Sequence, residues 1–369
     1  MRRLLRENPL PGRIALSYER EPCYFGAAAV EGPFHQVVVA RDERSGEVVG
    51  CANRSVRTLF VNGEALPVGY ISQLRLHPRV RRGVYLARCL GKGFALYRTL
   101  HADRRAAFYL MSLVAGNRPA RRLLTSGLPG FPRLHAGARL VTCAIHVGRP
   151  RRPLAPGRGL RLARGGERLL PGIVDCLERY GRRHQFAPLW TLETLCRPEH
   201  TPGLAADDFF VALDGERVVG CLAAWDQRAV KQTVVRGYGG ALARWRRPLN
   251  LIAPLAGWPR LPDPGSELRG CFASHRAVDG PAAGDGADGA DGARVFAALL
   301  RAVYNRAARE RRWRYLIIGF GEADPWRAAL RRYRVLPYPS DLYLAGWEDS
   351  EAAISRVDGR LPAPEAAVL

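Results

Sequence analysis

The sequence predicts an α/β fold (α+β, with a mixed sheet) that is built as two tandem copies of one unit. The first observation is a repeated hairpin pattern, VVVARDERSGEVVGCANR at 37–54 and FFVALDGERVVGCLAAW at 209–225. The second is a repeated short helix with an N-capping residue, within 116–134 and 322–342. Because both features recur in the same order, the two halves of the chain are expected to share one topology.

The hairpins define the first strands of each copy. Both turns contain a glycine, Gly46 and Gly215, and glycine readily takes the positive φ that such turns need. Each second strand then contains V-V-G-C. The predicted strands are 36–41, 47–60 and about 66–76 in the first copy, and 208–213, 217–226 and 267–275 in the second.

One long helix is predicted after the third strand of each copy. Leu86, Leu90, Phe94 and Tyr97 form one apolar stripe, which predicts a helix at 83–98 packed on a sheet. The other predicted helices are 166–184 and 293–311 in the second copy. A strand is expected after each long helix, at 107–114 and at 315–319.

Each copy is predicted to end with a capped helix and a last strand. Asn117 and Asp324 are good N-cap residues, and Pro325 suits the first helical turn. The helices and strands predicted from them are 118–125 and 138–147 in the first copy, and 325–333 and 341–347 in the second.

The domain organisation follows from the repeat and from composition. The first domain is predicted at 1–148, and the Pro/Gly/Arg-rich stretch 149–159 is predicted to be a linker. A second, degenerate domain is predicted at 160–350 and a tail at 351–369. The second domain carries insertions at 230–265 and 279–292, and the latter is a Gly/Asp/Ala stretch of low complexity that predicts a mobile loop.

Composition narrows the classes of function. The formal charge is +23, but only Lys92 and Lys231 are lysines, and the arginines are spread along the chain. The positive electrostatic field of such a chain favours polyanionic ligands. Because the arginines are not clustered, they do not define a groove for nucleic acid. The eight cysteines lack metal-ligand spacing, so reduced thiols and no metal are expected. No long apolar run predicts a membrane span, and the basic N-terminus lacks the apolar segment of a secretory signal, so a cytoplasmic protein is expected.

Residues 74–90, LRLHPRVRRGVYLARCL, join the third strand to the long helix of the first copy. Arg79, Arg81 and Arg82 lie close to Gly83 in this junction. A loop that leads into a helix N-terminus presents unpaired backbone N–H groups and partial positive charge, which suit a diphosphate. The alternative is a basic turn that binds nothing, and the residues alone leave both open.

The order of hairpin, strand, basic Gly turn, long helix, strand and Asn-capped helix resembles the GNAT superfamily of acyl-CoA N-acyltransferases, in a tandem arrangement. The cofactor loop of that family reads roughly Q/R-x-x-G-x-G/A. Here the aligned stretch is 80–85, in which Gly83 matches, Val80 stands at the Gln/Arg position and Tyr85 replaces the second small residue. The fold class implied is two tandem GNAT-like domains.

The resemblance implies that acetyl-CoA or another acyl-CoA is the co-substrate. The junction would hold the diphosphate, the backbone of 73–76 would face the pantetheine arm, and Asn117 would lie near the end of that arm. The residues assigned to the cofactor in this way are Leu74, Arg75, Leu76, Arg79, Val80, Arg81, Arg82, Gly83, Val84 and Asn117.

The implied reaction is direct attack of an amine on the thioester, with acetyl transfer to a small molecule or peptide. Many relatives have a Tyr acid seven residues after the Asn, but here that position is Leu124. Ser72 and Gln73 are candidates to hold a water near the parting strands, although both also fit ordinary polar strand positions. His275, in a strand of the second copy, is a candidate to face the cleft.

Two other functions remain open at this point. The charge of +23 is compatible with an aminoacyl-tRNA-type peptidyltransferase that binds nucleic acid. Val80, Tyr85 and Leu124 are compatible with a non-catalytic tandem module that binds CoA or another ligand. The second copy lacks the basic loop and is expected to shape the substrate cleft, and the insertion at 230–265 is expected to line that cleft or to pack on the first copy.

Overall fold

An eleven-stranded mixed sheet runs through the molecule, and a separate two-stranded sheet lies beside it. The structure is a computed structural model that describes residues 1–10, 12–81, 83–255, 258–279 and 287–369, with backbone only for 287–291. The strands are β1 (Ile14–Glu19), β2 (Phe34–Arg41), β3 (Val48–Val61), β4 (Glu64–Leu76), β5 (Tyr109–Val114), β6 (Arg133–His146), β7 (Leu160–Arg164), β8 (Phe209–Asp214), β9 (Arg217–Trp225), β10 (Gln232–Tyr238), β11 (Gly270–Val278), β12 (Tyr315–Gly321) and β13 (Val335–Gly346).

Helices cover both faces of the large sheet. They are α1 (Arg2–Glu7), α2 (Tyr24–Glu31), α3 (Gly83–His101), α4 (Arg118–Leu124), α5 (Leu170–Arg182), α6 (Leu192–Cys196), α7 (Gly240–Ile252), α8 (Ala287–Glu310) and α9 (Glu351–Ser355). Short 3₁₀ helices lie at Pro78–Val80 and Pro325–Arg332, among other places. No described helix is both long enough and apolar enough to cross a membrane.

The two copies exchange their last strands. The sheet order is β2-β3-β4-β5-β13-β6-β12-β11-β9-β8-β7, so β13 lies between β5 and β6. β6 is antiparallel to β13 along its length, from Arg133 opposite Gly346 to Ile145 opposite Val335. On its other side β6 pairs with β12. The two halves therefore share one continuous sheet.

The predicted repeat is present in the backbone. The turn glycines of both hairpins have positive φ, +68° at Gly46 and +58° at Gly215. The third strand of each copy has an irregularity opposite the strand that contains V-V-G-C. The residues there, Gln73 and His275, have φ of +51° and +54°. Positive φ is strained for a side chain other than glycine, and bulges of this kind often lie next to functional sites.

The long helix of the first copy packs as predicted. Leu90, Phe94 and Tyr97 are buried against the sheet residues Ile71 and Met111. The short helices also begin as predicted, because Asn117 Oδ1 accepts from the Ala120 N–H at 3.3 Å and Asp324 Oδ1 accepts from the Trp326 N–H at 2.9 Å.

Several elements of the second copy differ from the prediction. The helix predicted at 166–184 is Leu170–Arg182, and the strand predicted at 267–275 is Gly270–Val278. The helix predicted at 293–311 begins at Ala287, so 287–292 of the predicted loop are helical, whereas 280–286 lie outside the described residues. Alanines with interspersed aspartates are compatible with a helix N-terminus, where negative charge is favourable. The helix predicted at 325–333 is a 3₁₀ helix. The last strand begins at Val335 and not at 341.

The early start of β13 has a backbone explanation. Pro337 and Pro339 read as turn residues in sequence, yet they pair opposite Cys143 and Val141 of β6. β5 joins the other side of β13 only from Ser340 onward. Because these two prolines are two positions apart, both lack an N–H on the same side of β13. No strand pairs with that side at these positions, and proline is tolerated there.

The sequence pattern did not predict the small sheet. β1, near the start of the chain, pairs antiparallel with β10, which belongs to the insertion at 230–265. The insertion therefore packs on the N-terminal region through β10, while α7 contributes no buried residue.

Candidate functional site

The strands β4 and β5 part at the centre of the first copy. They are parallel and pair only at Gly69 with Tyr109 and at Tyr70 with Leu110. Beyond these residues the ladder ends and a gap, called the first gap below, opens between the strands. Glycine is required at position 69, where the two strands are still paired, because a Cβ there would lie 2.1 Å from Tyr109 Cδ1.

The N-terminus of α3 follows β4 through the 3₁₀ turn at 78–80. Gly83 has φ of +57°, and a Cβ at this position would meet no atom within 4 Å. Val84 and Tyr85 are 63% and 69% exposed, so the first turn of the helix lies at the surface. The first N–H groups of this 19-residue helix lack intrahelical partners and carry partial positive charge. The helix end can therefore receive an anion.

The arginines of the junction are not all directed to that helix end. The Arg79 guanidinium lies 3.0 Å from Glu47 Oε2 and 3.6 Å from Asp42 Oδ2. Arg81 donates from Nε to the Leu76 carbonyl at 2.7 Å and from Nη2 to Asn8 Oδ1 at 2.7 Å. Arg82 lies outside the described residues. Val80 is partly buried in the 3₁₀ turn.

The other predicted cofactor residues lie on β4 and α4. Leu74 and Leu76 pack on the α3 side of the sheet. Arg75 lies beside Tyr18 and Tyr338, and burial lowers the pKa of its guanidinium. Asn117 caps α4. Leu124 is buried in the same cluster as Phe94, so the structure places no acid at this position.

A buried polar cluster lies on the face of β4 opposite α3. It consists of Arg20, Tyr24, Glu31, Asn53 and Ser72 and is called the Glu31 cluster below. The Ser72 hydroxyl donates to Glu31 Oε2 at 2.7 Å, and Asn53 Nδ2 donates to the same oxygen at 3.2 Å. Arg20 donates to Glu31 Oε1. Tyr24 completes the cluster by donating to Asn53 Oδ1 at 2.7 Å.

Sequence reasoning found only Ser72 of this cluster. Glu31 ends a short helix 41 positions before Ser72 and belongs to no motif. The only signal available was a carboxylate in an otherwise apolar segment, YFGAAAVE. A carboxylate that is 2% exposed is held by partners, and here those partners are Arg20, Asn53 and Ser72.

Lys231 and Tyr70 lie within electrostatic reach of the Glu31 cluster. Burial lowers the pKa of the Lys231 ammonium to about 8, and Glu31 opposes that shift. Lys231 Nζ donates to the carbonyl of Ala367 at 3.2 Å. Burial also raises the pKa of the Tyr70 hydroxyl. The Glu31 cluster is therefore accompanied by further titratable groups that are removed from bulk water.

Gln73 occupies the bulge beside Ser72. Its Oε1 is buried and accepts no hydrogen bond from any described residue. The backbone carbonyl oxygen of Gln73 accepts a hydrogen bond from the Cys51 thiol, with an S···O distance of 3.8 Å. No described side chain accepts a hydrogen bond from the backbone N–H of Gln73. The matching N–H of the second copy, that of His275, donates to the Glu365 carboxylate.

The gap of the second copy is filled by the chain itself. β11 and β12 pair in parallel over only three residues, Gly270–Phe272, and then part as β4 and β5 do. The segment 361–369, called the tail segment below, enters this second gap. The Ala363 N–H donates to the carbonyl of Gln185 at 2.8 Å, and the His275 N–H donates to Glu365 Oε2 at 2.8 Å. A Cβ on Gly319 of β12 would lie 2.8 Å from the Cβ of Ala366.

The surroundings of His275 are closed. Its ring packs on Trp190, Trp225 and Phe209, with ring centroids 4.2–5.3 Å away. The cavity that remains beside Glu365 has a volume of only about 20 Å³. Burial lowers the pKa of the His275 imidazole to about 3 and raises that of the Glu365 carboxyl. His275 does not face an open cleft.

Comparison with known proteins identifies the fold. No family model and no characterised protein sequence matches the chain. The structure is similar to that of a GCN5-related N-acetyltransferase from Sphaerobacter thermophilus, with 14% identity over 84% of this chain and 80% of that one, and a TM-score of 0.51. The chain has the GNAT fold.

N-myristoyltransferase from Saccharomyces cerevisiae, solved with bound myristoyl-CoA, is also similar. The identity is 12%, the match covers 94% of this chain and 75% of that one, and the TM-score is 0.57. A second structure of the yeast enzyme, with myristoyl-CoA and inhibitors, matches with 13% identity and the same TM-score. The predicted mixed α/β fold of tandem GNAT-like units is thereby confirmed. Among the described residues, no group of three His, Cys, Asp or Glu side chains is arranged to hold a metal ion.

We expect a buried histidine of the second GNAT unit to make stability pH-dependent. Burial holds the pKa of His275 at about 3 in the folded state, below its ordinary value of 6.5, so the unfolded chain binds more protons below pH 6.5. Stability is therefore lost as the pH falls. From pH 6.5 to 5.0 His275 contributes a loss of about 2 kcal/mol, at roughly 1.4 kcal/mol for each pH unit.

The His275→Asn variant isolates this contribution, because asparagine tolerates the positive φ. Urea unfolding at pH 7.5 and 5.0 should show about 2 kcal/mol less acid destabilisation in this variant than in the wild type. Glu365 and His184 respond to pH in both proteins and cancel in the comparison. His77→Asn, on the surface, serves as the control. An unchanged difference between the two pH values in His275→Asn would contradict the assignment.

Proposed function

We propose that the chain is an acyl-CoA-dependent N-acyltransferase whose cofactor site lies in the first copy. The observation that carries the proposal is the contrast between the two gaps: the second is occupied by the tail segment, whereas the first ends at the exposed N-terminus of α3. The same fold in the yeast enzyme holds myristoyl-CoA, which supports the assignment. All eight cysteines are unpaired, which suits the cytoplasm we propose as its location.

In this proposal the acyl-CoA diphosphate binds the backbone N–H groups at Gly83 and Val84. The pantetheine arm extends along β4 from Leu76 toward Gln73 and enters the first gap. This direction brings the thioester to the bulge, where the N–H of Gln73 is available to the carbonyl oxygen. Either acetyl-CoA or a longer acyl-CoA is compatible with this placement.

The chemistry proposed is direct transfer to an amine of a small molecule or peptide. The amine nitrogen bonds to the thioester carbon, the C–S bond breaks, and coenzyme A leaves as a thiol after gaining a proton. The Gln73 N–H would stabilise negative charge that develops on the carbonyl oxygen. Ser72, whose hydroxyl is oriented by Glu31, is the group that would accept a hydrogen bond from the incoming amine.

We expect the Tyr85→Glu variant to weaken acyl-CoA binding at least tenfold without destabilising the protein. A carboxylate in the first turn of α3 repels a diphosphate at the helix end, yet it stabilises the helix by about 0.3–1 kcal/mol. Titration calorimetry with acetyl-CoA and with myristoyl-CoA measures the affinity, and thermal unfolding measures the stability.

The matched control is Leu96→Glu, which adds the same charge to an exposed position (45%) in the second half of α3. This variant should bind acyl-CoA like the wild type. Thiol release with a library of amines then tests the reaction. Unchanged binding in Tyr85→Glu would reject the cofactor site, whereas binding without thiol release would favour a non-catalytic module.

A further inference from the structure

We propose that the second copy contains a separate site for a nucleoside phosphate. A cavity of about 600 Å³ lies between the linker, the first half of α8 and the 3₁₀ helix at 325–332. This volume lies in the range of pockets that enclose small ligands. It is a different place from the first gap, and it does not depend on the acyltransferase assignment.

Four arginines line this cavity, and no carboxylate is found among its described lining residues. They are Arg158, Arg294, Arg301 and Arg332. Arg158, Arg294 and Arg332 are exposed and form no ion pair with a described residue. A concave surface that bears several unpaired guanidinium groups concentrates positive potential and selects anions.

Arg301 is fixed in the wall of the cavity. It is 6% exposed, and it donates from Nε to the Tyr333 hydroxyl at 2.8 Å and from Nη1 to the Arg152 carbonyl at 2.6 Å. These two hydrogen bonds fix the orientation of the guanidinium before a ligand binds. A planar guanidinium of this kind suits a phosphate, which it can bind through two parallel hydrogen bonds.

The rest of the lining is apolar. Alanines 293, 297, 328 and 329 and Leu154 form much of the surface, together with Trp326 and Tyr333. The Trp326 ring is only 6% exposed, because it stacks on both Phe296 and Tyr180, with centroids 5.3 and 5.8 Å away. Apolar walls built mainly of small side chains, beside guanidinium groups, match a ligand with an apolar planar base and a charged phosphate end.

This ligand would not be the acyl donor of the second copy. The tail segment fills the second gap up to the bulge, where Glu365 already accepts the His275 N–H. A thioester arm therefore has no path from the cavity to a bulge N–H. The site proposed is one that binds a nucleoside phosphate without reacting it.

Titration calorimetry with ADP tests the site. We expect the double variant R294Q/R332Q to bind ADP at least about 30-fold more weakly than the wild type, because two charge-assisted hydrogen bonds are lost. The control variant R309Q removes one exposed arginine near the end of the same helix and should leave the affinity unchanged. Adenosine and inorganic pyrophosphate, titrated separately, should each bind more weakly than ADP.

The Tyr85→Glu variant separates this site from the first gap. If ADP binds in the second copy, Tyr85→Glu should retain its ADP affinity, and R294Q/R332Q should retain its acyl-CoA affinity. Loss of ADP binding in Tyr85→Glu, or unchanged binding in R294Q/R332Q, would overturn the proposal. Equal affinity for pyrophosphate and ADP would overturn the part that assigns a nucleoside.

Discussion

The Glu31→Gln variant is expected to lose about 3–5 kcal/mol of its free energy of unfolding, because it leaves a buried arginine without its counter-charge. Arg20 is 2% exposed, and its partner carboxylate is equally buried. Arg20 also lies over the Tyr24 ring, 4.8 Å from the centroid, so it has no route to solvent within the cluster. The glutamine amide preserves the shape of the side chain but removes the charge. Urea unfolding monitored by tryptophan fluorescence measures the loss.

A matched control lies ten positions away. Glu21 also pairs with arginines, Arg2 and Arg6, but these are about half exposed. Glu21→Gln should therefore cost less than about 1 kcal/mol, as expected for a surface ion pair. Equal losses in Glu21→Gln and Glu31→Gln would show that the buried pair has no special contribution, which contradicts the prediction.

Deletion of the tail segment 361–369 is expected to destabilise the second copy by about 4 kcal/mol or more. The segment contributes Ala363, Ala367 and Val368 to the main core, and each is at most 8% exposed. Its removal also leaves buried donors without acceptors, among them the His275 N–H, and each such group costs about 1–3 kcal/mol. Urea unfolding gives the magnitude, and hydrogen exchange should show the loss of protection in β11 and β12.

A substitution inside the gap keeps this test informative if the truncated chain fails to fold. Gly319→Val places a side chain where the Ala366 Cβ lies, 2.8 Å from an ideal Cβ, and should cost about 1–3 kcal/mol through overpacking. Its effect on exchange should centre on the tail segment and β12. Wild-type protection of the tail amides in Gly319→Val would argue against a tail that is tightly packed in the gap.

Local sequence patterns predicted much of the fold because each reports a short-range interaction. The stripe of Leu90, Phe94 and Tyr97 reflects one helix face, and Gly46 and Gly215 reflect tight turns. The N-caps Asn117 and Asp324 act within three residues of themselves. Patterns of this kind survive in almost any tertiary context, so the elements could be located before their arrangement was known.

Long-range pairing could not be predicted in the same way. The contact of β1 with β10 joins positions more than 200 residues apart, for example Glu19 with Gln232, and neither strand shows a strong alternation. The tail segment reads as a proline- and alanine-rich end, and only its burial shows that it fills the second gap. Such contacts are decided by the shape of the surface that receives them.

The candidate site stays a prediction. The sequence indicated the junction before α3 and the residues Ser72 and Gln73, and the structure has these two residues in β4 and the junction directly after that strand. The sequence could not show that Arg79 pairs with Glu47, because the carboxylate belongs to the hairpin turn. Nor could it indicate Glu31, whose importance depends on the partners that the fold brings to it.

The exchange of last strands between the copies has a consequence for how the protein is made. A ribosome releases β5 and β6 long before β13, which must insert between them. During that interval the nascent first half carries two unsatisfied strand edges, which are prone to improper association. The large sheet is therefore expected to be completed late, with both halves reaching their final structure together. If the halves were expressed separately, each would expose an unpaired strand edge that promotes aggregation.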